Sequence, residues 1–139
     1  MSVVENKAIV WRIFAELNKG NAAVLDELLD ANCIFRAAGI EDIRGTEGVK
    51  QRVNTALSAF PDYRAEIYDV LAEGDKVMVR LTEKGTHEGE LMGIAPTGEK
   101  VKAWAMVVVR IVGGKVVESW ALGDRLGLLQ NLGVIPSSG

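Results

Sequence analysis

The sequence predicts a single α+β domain in which a curved antiparallel sheet wraps around N-terminal helices. Apolar residues of the first half recur with helical spacing, whereas those of the second half alternate as they do in strands. The third observation is length, because 139 residues without a linker or an internal repeat make one domain, residues 1–139.

The first half carries the signals of three helices. The Ser2–Glu5 segment has the spacing of a capping box, and Gly20 is placed to end the helix that follows. Asn21 can cap a short second helix, and Thr46 can cap a third helix that ends at Phe60. The buried face predicted for the first helix consists of Val10, Ile13, Phe14 and Leu17.

The remaining segments read as strands, turns and one closing helix. Gly113-Gly114 suits a two-residue hairpin turn, and Met92–Gly98 and Gly39–Gly45 read as loops. Asp124–Leu132 carries leucines at helical spacing and predicts a short last helix. The predicted strands are Cys33–Phe35, Tyr63–Leu71, Lys76–Thr86, Val101–Val112 and Val116–Leu122.

Composition excludes several classes of function. The chain is 48% hydrophobic and 25% charged, with a net charge of −3 and no basic stripe, so we expect no nucleic-acid partner. Cys33 and His87 are the only residues of their types, which leaves no zinc site of the usual kind and no internal disulfide. The longest apolar run, Ala103–Val109, is too short to span a membrane, and no signal peptide is visible. We therefore expect a cytoplasmic protein with no metal.

Two segments carry a resemblance to a known family. GTHEGELMGIAPTGEKV at Gly85–Val101 is similar to the signature loop of the SnoaL-like polyketide cyclases, and RIVGGKVVESWALGD at Arg110–Asp124 resembles their hairpin. The order of elements matches that family, of the nuclear-transport-factor-two-like cone superfamily, from about Val4 to Leu132. The resemblance implies a curved sheet and three or four helices around a mostly apolar pocket, with no cofactor.

The resemblance also implies a chemistry. In the cyclases an aspartate that follows the hairpin tryptophan serves as acid/base, and Trp120 and Asp124 match that spacing. Many members have histidines where this chain has Ser119 and Arg36. We therefore expect a cyclase or isomerase that acts on a hydrophobic, ketone-bearing small molecule. The alternatives are a non-catalytic binding protein, or an epoxide hydrolase of the limonene type, which needs two acids and an arginine around one water.

Three polar residues are candidates for the site, and each has a structural alternative. Asp124 can remove a proton beside a carbonyl if burial raises its pKa, or it can simply cap the last helix. His87 can relay a proton, or it can pin the loop in which it lies. Arg36 can orient a carbonyl or an enolate, or its charged end can reach from a strand edge to water.

The predicted hairpin pairing assigns the pocket wall. With a two-residue turn, Trp104 and Met106 share a face with Ser119, and we assign that face to the pocket, although a tryptophan on a strand is more often core. Glu118 falls on the other face, where its carboxylate should pair or lie at an interface, and Glu83 reads as solvated surface. The other face is apolar too, which predicts a homodimer. The remaining predicted pocket residues are Phe35, Phe14, Trp11 and Tyr63.

Overall fold

The computed structural model describes residues 2–137 and contains four helices and six strands. None of the helices among these residues has both the length and the apolar character that crossing a membrane requires. The helices are α1 (Val3–Leu17), α2 (Val24–Leu28), α3 (Thr46–Ala59) and α4 (Arg125–Asn131). The strands are β1 (Leu29–Ala37), β2 (Ile43–Arg44), β3 (Arg64–Glu73), β4 (Lys76–Thr86), β5 (Lys100–Val112) and β6 (Lys115–Gly123).

The six strands form one sheet in the order β2-β1-β6-β5-β4-β3. The α+β class and the curved, unclosed sheet beside N-terminal helices are therefore confirmed. Neighbouring strands are antiparallel except β1 and β6, which run parallel. Hairpin turns force the antiparallel direction on β3–β4 and β5–β6, whereas β1 and β6 are far apart in sequence and no such turn constrains them.

Helix α1 begins and ends with side-chain hydrogen bonds. The predicted capping box is present: Ser2 Oγ accepts from the Glu5 amide, and the Glu5 carboxylate accepts from the Ser2 amide, both at 3.1 Å. At the other end the Asn18 side chain donates to the Ala65 carbonyl at 3.0 Å and accepts from the Ala65 amide at 2.7 Å. The Asn18 side-chain amide thus makes with β3, an edge strand of the sheet, the two backbone hydrogen bonds that a neighbouring strand would make.

The caps predicted at Asn21 and Thr46 are wrong. Asn21 lies before α2, but its side-chain amide donates to the Glu16 carboxylate at 2.8 Å. Helix α2 therefore begins without a side-chain cap. Thr46 is the first residue of α3, whose N-cap is Gly45 at φ +84°. The Thr46 hydroxyl instead donates to the Asp30 carbonyl at 3.1 Å, which ties α3 to β1.

The core lies between the helices and one face of the sheet, which we call the inner face. Val77, Val79 and Leu81 of β4 are at most 1% exposed on this face. Val10, Ile13 and Leu17 of α1 belong to the same cluster, and so does Cys33. The opposite side of the sheet, the outer face, leaves several large apolar side chains exposed: Tyr68, Leu71, Trp104, Met106 and Leu122.

A β-bulge in β6 makes the predicted face assignment of the hairpin wrong. Ile111 pairs with Val116, but Arg110 pairs with Glu118, so Val117 is an extra residue in β6. The next pair is Val109 and Ser119, which places Ser119 on the inner face with the core. Trp104 and Met106 alternate with the buried residues of β5 and lie on the outer face. An extra residue in one strand moves all later side chains of that strand to the opposite face of the sheet. The Gly113-Gly114 turn, from which the pairing was predicted, gives no sign of such an extra residue.

The long loop between β4 and β5 is held against the end of α3. The Glu88 and Gly89 amides both donate to the Ala59 carbonyl, at 2.9 and 3.1 Å. A Cβ on Gly89 would lie 2.4 Å from the Ser58 carbonyl oxygen, a backbone atom that cannot move aside easily. Only glycine therefore allows the loop to approach α3 this closely.

We predict that Gly89→Ala lowers the free energy of unfolding by about 1–3 kcal/mol, because the added methyl overpacks this contact. The matched control is Gly123→Ala, where nothing lies within 4 Å of the new methyl, and we expect a change within about 0.5 kcal/mol. Urea unfolding of both variants measures the difference. Equal stabilities would contradict the close approach of this loop.

Candidate functional site

A hydrogen-bonded tyrosine and glutamate lie on the inner side of the sheet. The Tyr63 hydroxyl donates to the Glu83 carboxylate at 2.6 Å. Glu83 continues the alternation of Val77, Val79 and Leu81 along β4, so it belongs to the inner face and is half-buried. Burial raises the pKa of Tyr63 far above its usual value of 10.0, and the adjacent Glu83 charge raises it further. Tyr63 is therefore a neutral donor that orients the Glu83 carboxylate.

Arg52 of α3 brings a positive charge to the same region. Its guanidinium carbon lies 5.3 Å from the centre of the Phe35 ring, and Phe35 pairs with the inner-face residue Ser119. The pKa of Arg52 is lowered first by partial burial and then by the charge of Arg125, whereas Glu83 acts in the opposite direction. Arg52, Arg125 and Glu83 are thus close enough to affect one another electrostatically.

Small and apolar groups surround these charges. Glu83 pairs with Ala103 of β5 on one side and with Ala65 of β3 on the other, so its immediate neighbours on the inner face carry only methyl groups. Next to Ala65, a groove of about 350 Å³ runs between α1 and β3. Two of the predicted pocket residues, Trp11 and Phe14, line this groove together. Phe14, Phe35 and Tyr63 all pack against the main core.

Asp124 lies where β6 ends and α4 begins. Its Oδ1 accepts from the Gly127 amide at 2.9 Å, and a Cβ on Gly127 would lie 2.3 Å from Oδ2, so the carboxylate occupies the space of an absent side chain. Its amide donates to the Trp104 carbonyl on β5 at 2.9 Å. The predicted helix cap is confirmed. Asp124 is exposed, and its bonded neighbour Trp104 pairs with Thr82, the residue before Glu83 on β4.

His87 has the geometry expected for a histidine that pins its loop. The ring is fully buried, and Nδ1 accepts from the Thr97 amide at 3.2 Å, which leaves the proton on Nε2. The Thr97 hydroxyl lies 3.0 Å from the same nitrogen, and backbone hydrogen bonds join His87 to Gly98 and Glu99. Nε2 has no hydrogen-bond partner among residues 2–137. The relay role predicted for His87 stays a prediction, and these contacts support the structural alternative.

Trp104 and Met106 stand away from the Tyr63–Glu83 pair. They are 46% and 50% exposed on the outer face. Trp104 packs against Tyr68, with ring centres 4.9 Å apart, and the Arg80 guanidinium lies 5.2 Å from its ring. Alternation with the buried residues of β5 sets this placement, and the bulge at Val117 puts Ser119 on the other face. Their substrate-binding role stays a prediction that this position does not support.

Arg36 also lies on the outer face, because it alternates with Phe35 along β1 and pairs with Trp120. Its guanidinium forms ion pairs with Glu118 and with Asp42, and it lies 5.6 Å from the centre of the Trp120 ring. Glu118 also accepts from Arg110 Nε at 3.1 Å, so the expectation that Glu118 is paired is confirmed. The predicted substrate-orienting role of Arg36 is a prediction without support from this arrangement.

Sequence analysis missed Glu83 and Arg52. The prediction that Glu83 is solvated surface is wrong, because it is half-buried and bonded to Tyr63. Its position two residues after Leu81 was the available signal, since the buried face of β4 extends through it. Arg52 is exposed at the side of α3, three residues after the buried Val49, and only its guanidinium reaches the Phe35 ring.

No group of three or more His, Cys, Asp or Glu side chains able to hold a metal ion occurs among residues 2–137. The absence of a cofactor stays a prediction. The chemistry available to the described site is that of a carboxylate, a neutral phenol and a guanidinium, which can move a proton and stabilise an oxyanion.

An open sheet around a core of helices, with acid/base groups on its inner face, defines a small α+β protein of the cone type. The family model of the SnoaL-like polyketide cyclases matches residues 8–132. The chain therefore belongs to the SnoaL-like polyketide cyclase family. None of the curated proteins matches it significantly.

Solved structures agree with this assignment. AclR from Streptomyces galilaeus, proposed to be a hydroxylase, is 30% identical, with a TM-score of 0.90 over 99% of this chain and 87% of its own. IdmH from Streptomyces antibioticus, proposed to be a polyketide cyclase, is 27% identical, with a TM-score of 0.80 over 92% and 98%. An epoxide hydrolase of the limonene type from M. tuberculosis is 16% identical, with a TM-score of 0.74 over 93% and 85%, and shares the fold alone.

We predict that Tyr63 makes the protein less stable as the pH rises above about 10. The folded state holds the phenol proton because its pKa is raised, whereas the unfolded chain releases it near the usual value of 10.0. This contribution to the free energy of unfolding falls with a slope approaching about 1.4 kcal/mol per pH unit, and Tyr63→Phe removes it. Denaturant unfolding from pH 9 to 11 measures both proteins. Parallel stability curves would contradict the burial of this phenol.

Proposed function

We propose that this protein is a cofactor-independent cyclase or isomerase that acts by acid/base catalysis on a hydrophobic, ketone-bearing small molecule. The observation that carries the proposal is the half-buried Glu83 carboxylate, held by the Tyr63 hydroxyl beside the Arg52 charge. Family membership supports the reaction class. The apolar groups next to Glu83 suit the hydrophobic part of such a substrate.

Each proposed group has one part in the reaction. Glu83 takes a proton from the carbon beside the ketone, which forms an enolate. Arg52 stabilises the negative oxygen, as a positioned cation does. In a cyclisation the enolate carbon then attacks a second carbonyl, and the resulting alkoxide takes up a proton; in an isomerisation the proton returns to another carbon. Tyr63 holds the carboxylate in the productive orientation.

Asp124 is the proposed partner for the second proton transfer. It lies at the start of α4 and is bonded to Trp104 of β5, whose partner on β4 is Thr82, the residue before Glu83; its exposed position allows exchange with water. The cap that it forms uses Oδ1, and this cap does not require ionisation, because asparagine caps helices about as well.

An exchange experiment separates an enzyme from a binding protein on the same fold. Hydrophobic ketones are incubated with the protein in heavy water, and loss of the hydrogen beside the carbonyl is followed by NMR. Catalysed exchange supports the proposal. Binding of the same ketones, seen as a change in tryptophan emission, without any exchange would overturn it in favour of the binding protein.

We predict that Glu83→Gln and Asp124→Asn each lower turnover by about 10²–10⁴-fold while the protein stays folded. Both changes keep the shape of the side chain and remove its proton transfer. Turnover and thermal midpoint are measured side by side on each variant. The matched control is Glu99→Gln, an exposed acid beyond the loop.

Each of the two variants tests its own residue. Full turnover in Asp124→Asn would remove Asp124 from the mechanism and leave it as the cap of α4. Full turnover in Glu83→Gln would remove the observation on which the proposed reaction depends.

The second candidate is an epoxide hydrolase of the limonene type, a kind of enzyme whose fold this chain shares. That reaction needs two acids and an arginine around one water, and Glu83, bonded to Tyr63, is an acid that the sequence analysis had counted as surface. Hydrolysis of limonene oxide in ¹⁸O-water tests it, because the diol then carries one labelled oxygen. Diol formation without ketone exchange would favour this candidate over the first.

We also propose that the outer face forms a homodimer. Met106 of β5 and Leu122 of β6 are paired neighbours that are 50% and 62% exposed, and Trp104 extends the same apolar surface. Exposed apolar patches of this kind mark interaction sites. A second copy presents the same surface and so matches its apolar character.

We predict a mass of twice 15.0 kDa by light scattering at micromolar concentration. Met106→Lys should shift it to the monomer, because it places a charge in the apolar surface. Val4→Lys, on the exposed side of α1, is the control and should leave the dimer intact. A monomeric native protein at this concentration would contradict the prediction.

A further inference from the structure

The groove between α1 and β3 is bordered by backbone groups on the free edge of β3. At one end of the groove the Ala65 amide donates to Asn18 Oδ1 at 2.7 Å, and Asn18 Nδ2 donates to the Ala65 carbonyl at 3.0 Å. Ala65 therefore points both backbone groups away from β4. Residues with this orientation alternate in an antiparallel pair, so Ile67 points its N–H and C=O to the same free edge. No residue among 2–137 outside the β3–β4 pair forms a hydrogen bond with the Ile67 backbone.

This stretch of the edge is too short for an added strand. Asn18 already covers Ala65, and the bulge at Tyr68 interrupts the β3–β4 pairing directly after Ile67. A peptide that extends a sheet needs several successive edge residues in register. The edge within the groove therefore has room for one amide group at Ile67.

Helix α1 places a small residue and two aromatic rings opposite this position. Ala15 and Phe14 precede Asn18 by three and four residues, about 5–6 Å along the helix, and Ile67 is about 7 Å beyond Ala65 along the strand. The two sets of residues line the same groove. Because Ala15 has only a methyl group, it leaves the space that a larger side chain would fill.

We propose that this groove binds a small molecule in which a primary carboxamide or a lactam is carried on a flat apolar ring. Such a group presents a C=O and an N–H side by side, as the Asn18 amide does to Ala65. Its oxygen accepts from the Ile67 amide, and its nitrogen donates to the Ile67 carbonyl. Asn18 thus shows, one edge position away, the chemistry that this edge takes.

The rest of the groove suits the ring and a neutral ligand. Trp11, which is 50% exposed, and Phe14 offer aromatic surfaces of about the size of such a ring. The two charged residues of the lining, Arg64 and Glu66, have opposite signs, so the groove does not select an ion. The site uses neither Glu83 nor Tyr63 and therefore goes beyond the proposed reaction.

NMR titration compares two probes that differ in one group. The probe 2-naphthamide carries the amide, and methyl 2-naphthoate keeps the ring and the carbonyl oxygen but has no N–H to donate. We expect the amide to bind at least about 5-fold more tightly, which is the size of one net neutral hydrogen bond, and to shift the Ile67 amide and Trp11 indole signals. Equal affinities, or an Ile67 signal that does not move, would overturn the proposal.

A matched pair of variants assigns the binding to the groove. Ala15→Leu fills the space opposite Ile67 and should weaken 2-naphthamide binding at least about 10-fold, since the ring no longer fits. Ala8→Leu makes the same change at an exposed position of α1 outside the groove and should leave the affinity unchanged. Both positions are exposed and leucine is a good helix former, so both variants should keep the native thermal midpoint. Undiminished binding in Ala15→Leu would overturn the assignment.

A peptide probe distinguishes a small amide from an added strand. A tetrapeptide of alternating valine and threonine, blocked at both ends, should bind no more tightly than 2-naphthamide. Tighter binding of the peptide would overturn the carboxamide in favour of an extended peptide. None of these probes carries a ketone, so the groove and the proposed acid/base reaction are judged by separate measurements.

Discussion

One extra residue in β6, Val117, sets the face of the sheet on which the rest of that strand presents its side chains. Val117 stands between the pairs Ile111–Val116 and Arg110–Glu118, and from there on Ser119 and Ala121 point to the core. The same shift turns Glu118 outward, where it meets Arg36 and Arg110 from the two neighbouring strands. Because a half-buried carboxylate needs positive partners, this three-residue arrangement also fixes the bulge in its place. The bulge and the ion pairs are therefore one structural unit across β1, β6 and β5.

The two faces of the sheet consequently have different chemistry. On the outer face cations lie against aromatic rings, as Arg80 does between Tyr68 and Trp104, and acids complete the ion pairs. Such a surface has its charges satisfied and its apolar groups exposed, which suits a permanent partner. On the inner face the Glu83 carboxylate accepts a hydrogen bond from a neutral phenol, and it forms no ion pair within residues 2–137. Glu83 therefore differs from Asp69 and Glu118, which arginines neutralise on the outer face.

Sequence reasoning recovered the elements that depend on local patterns. The helical spacing of Val10, Ile13 and Leu17 and the alternation through Lys76–Thr86 reflect burial on one face, which is written directly into the residues. The bulge at Val117 depends on contacts with strands distant in the chain, so the faces of Trp104 and Ser119 were exchanged. The site also depends on contacts between residues far apart in the chain, since Tyr63 and Glu83 meet only when β3 and β4 pair.

The residues of the signature segments have mainly structural contacts. His87 holds its loop through Thr97, and Asp124 starts α4 over a glycine that leaves room for its carboxylate. The groups proposed to do the chemistry lie instead on regular elements, Glu83 on β4 and Arg52 on α3, whose positions the core fixes. Regular elements hold a side chain more precisely than loops do. The loop and the cap thus fix local structure in this chain, and the groups proposed for the reaction lie apart from them on β4 and α3. Ser119 brings no titratable group to the inner face, whereas Glu83 does.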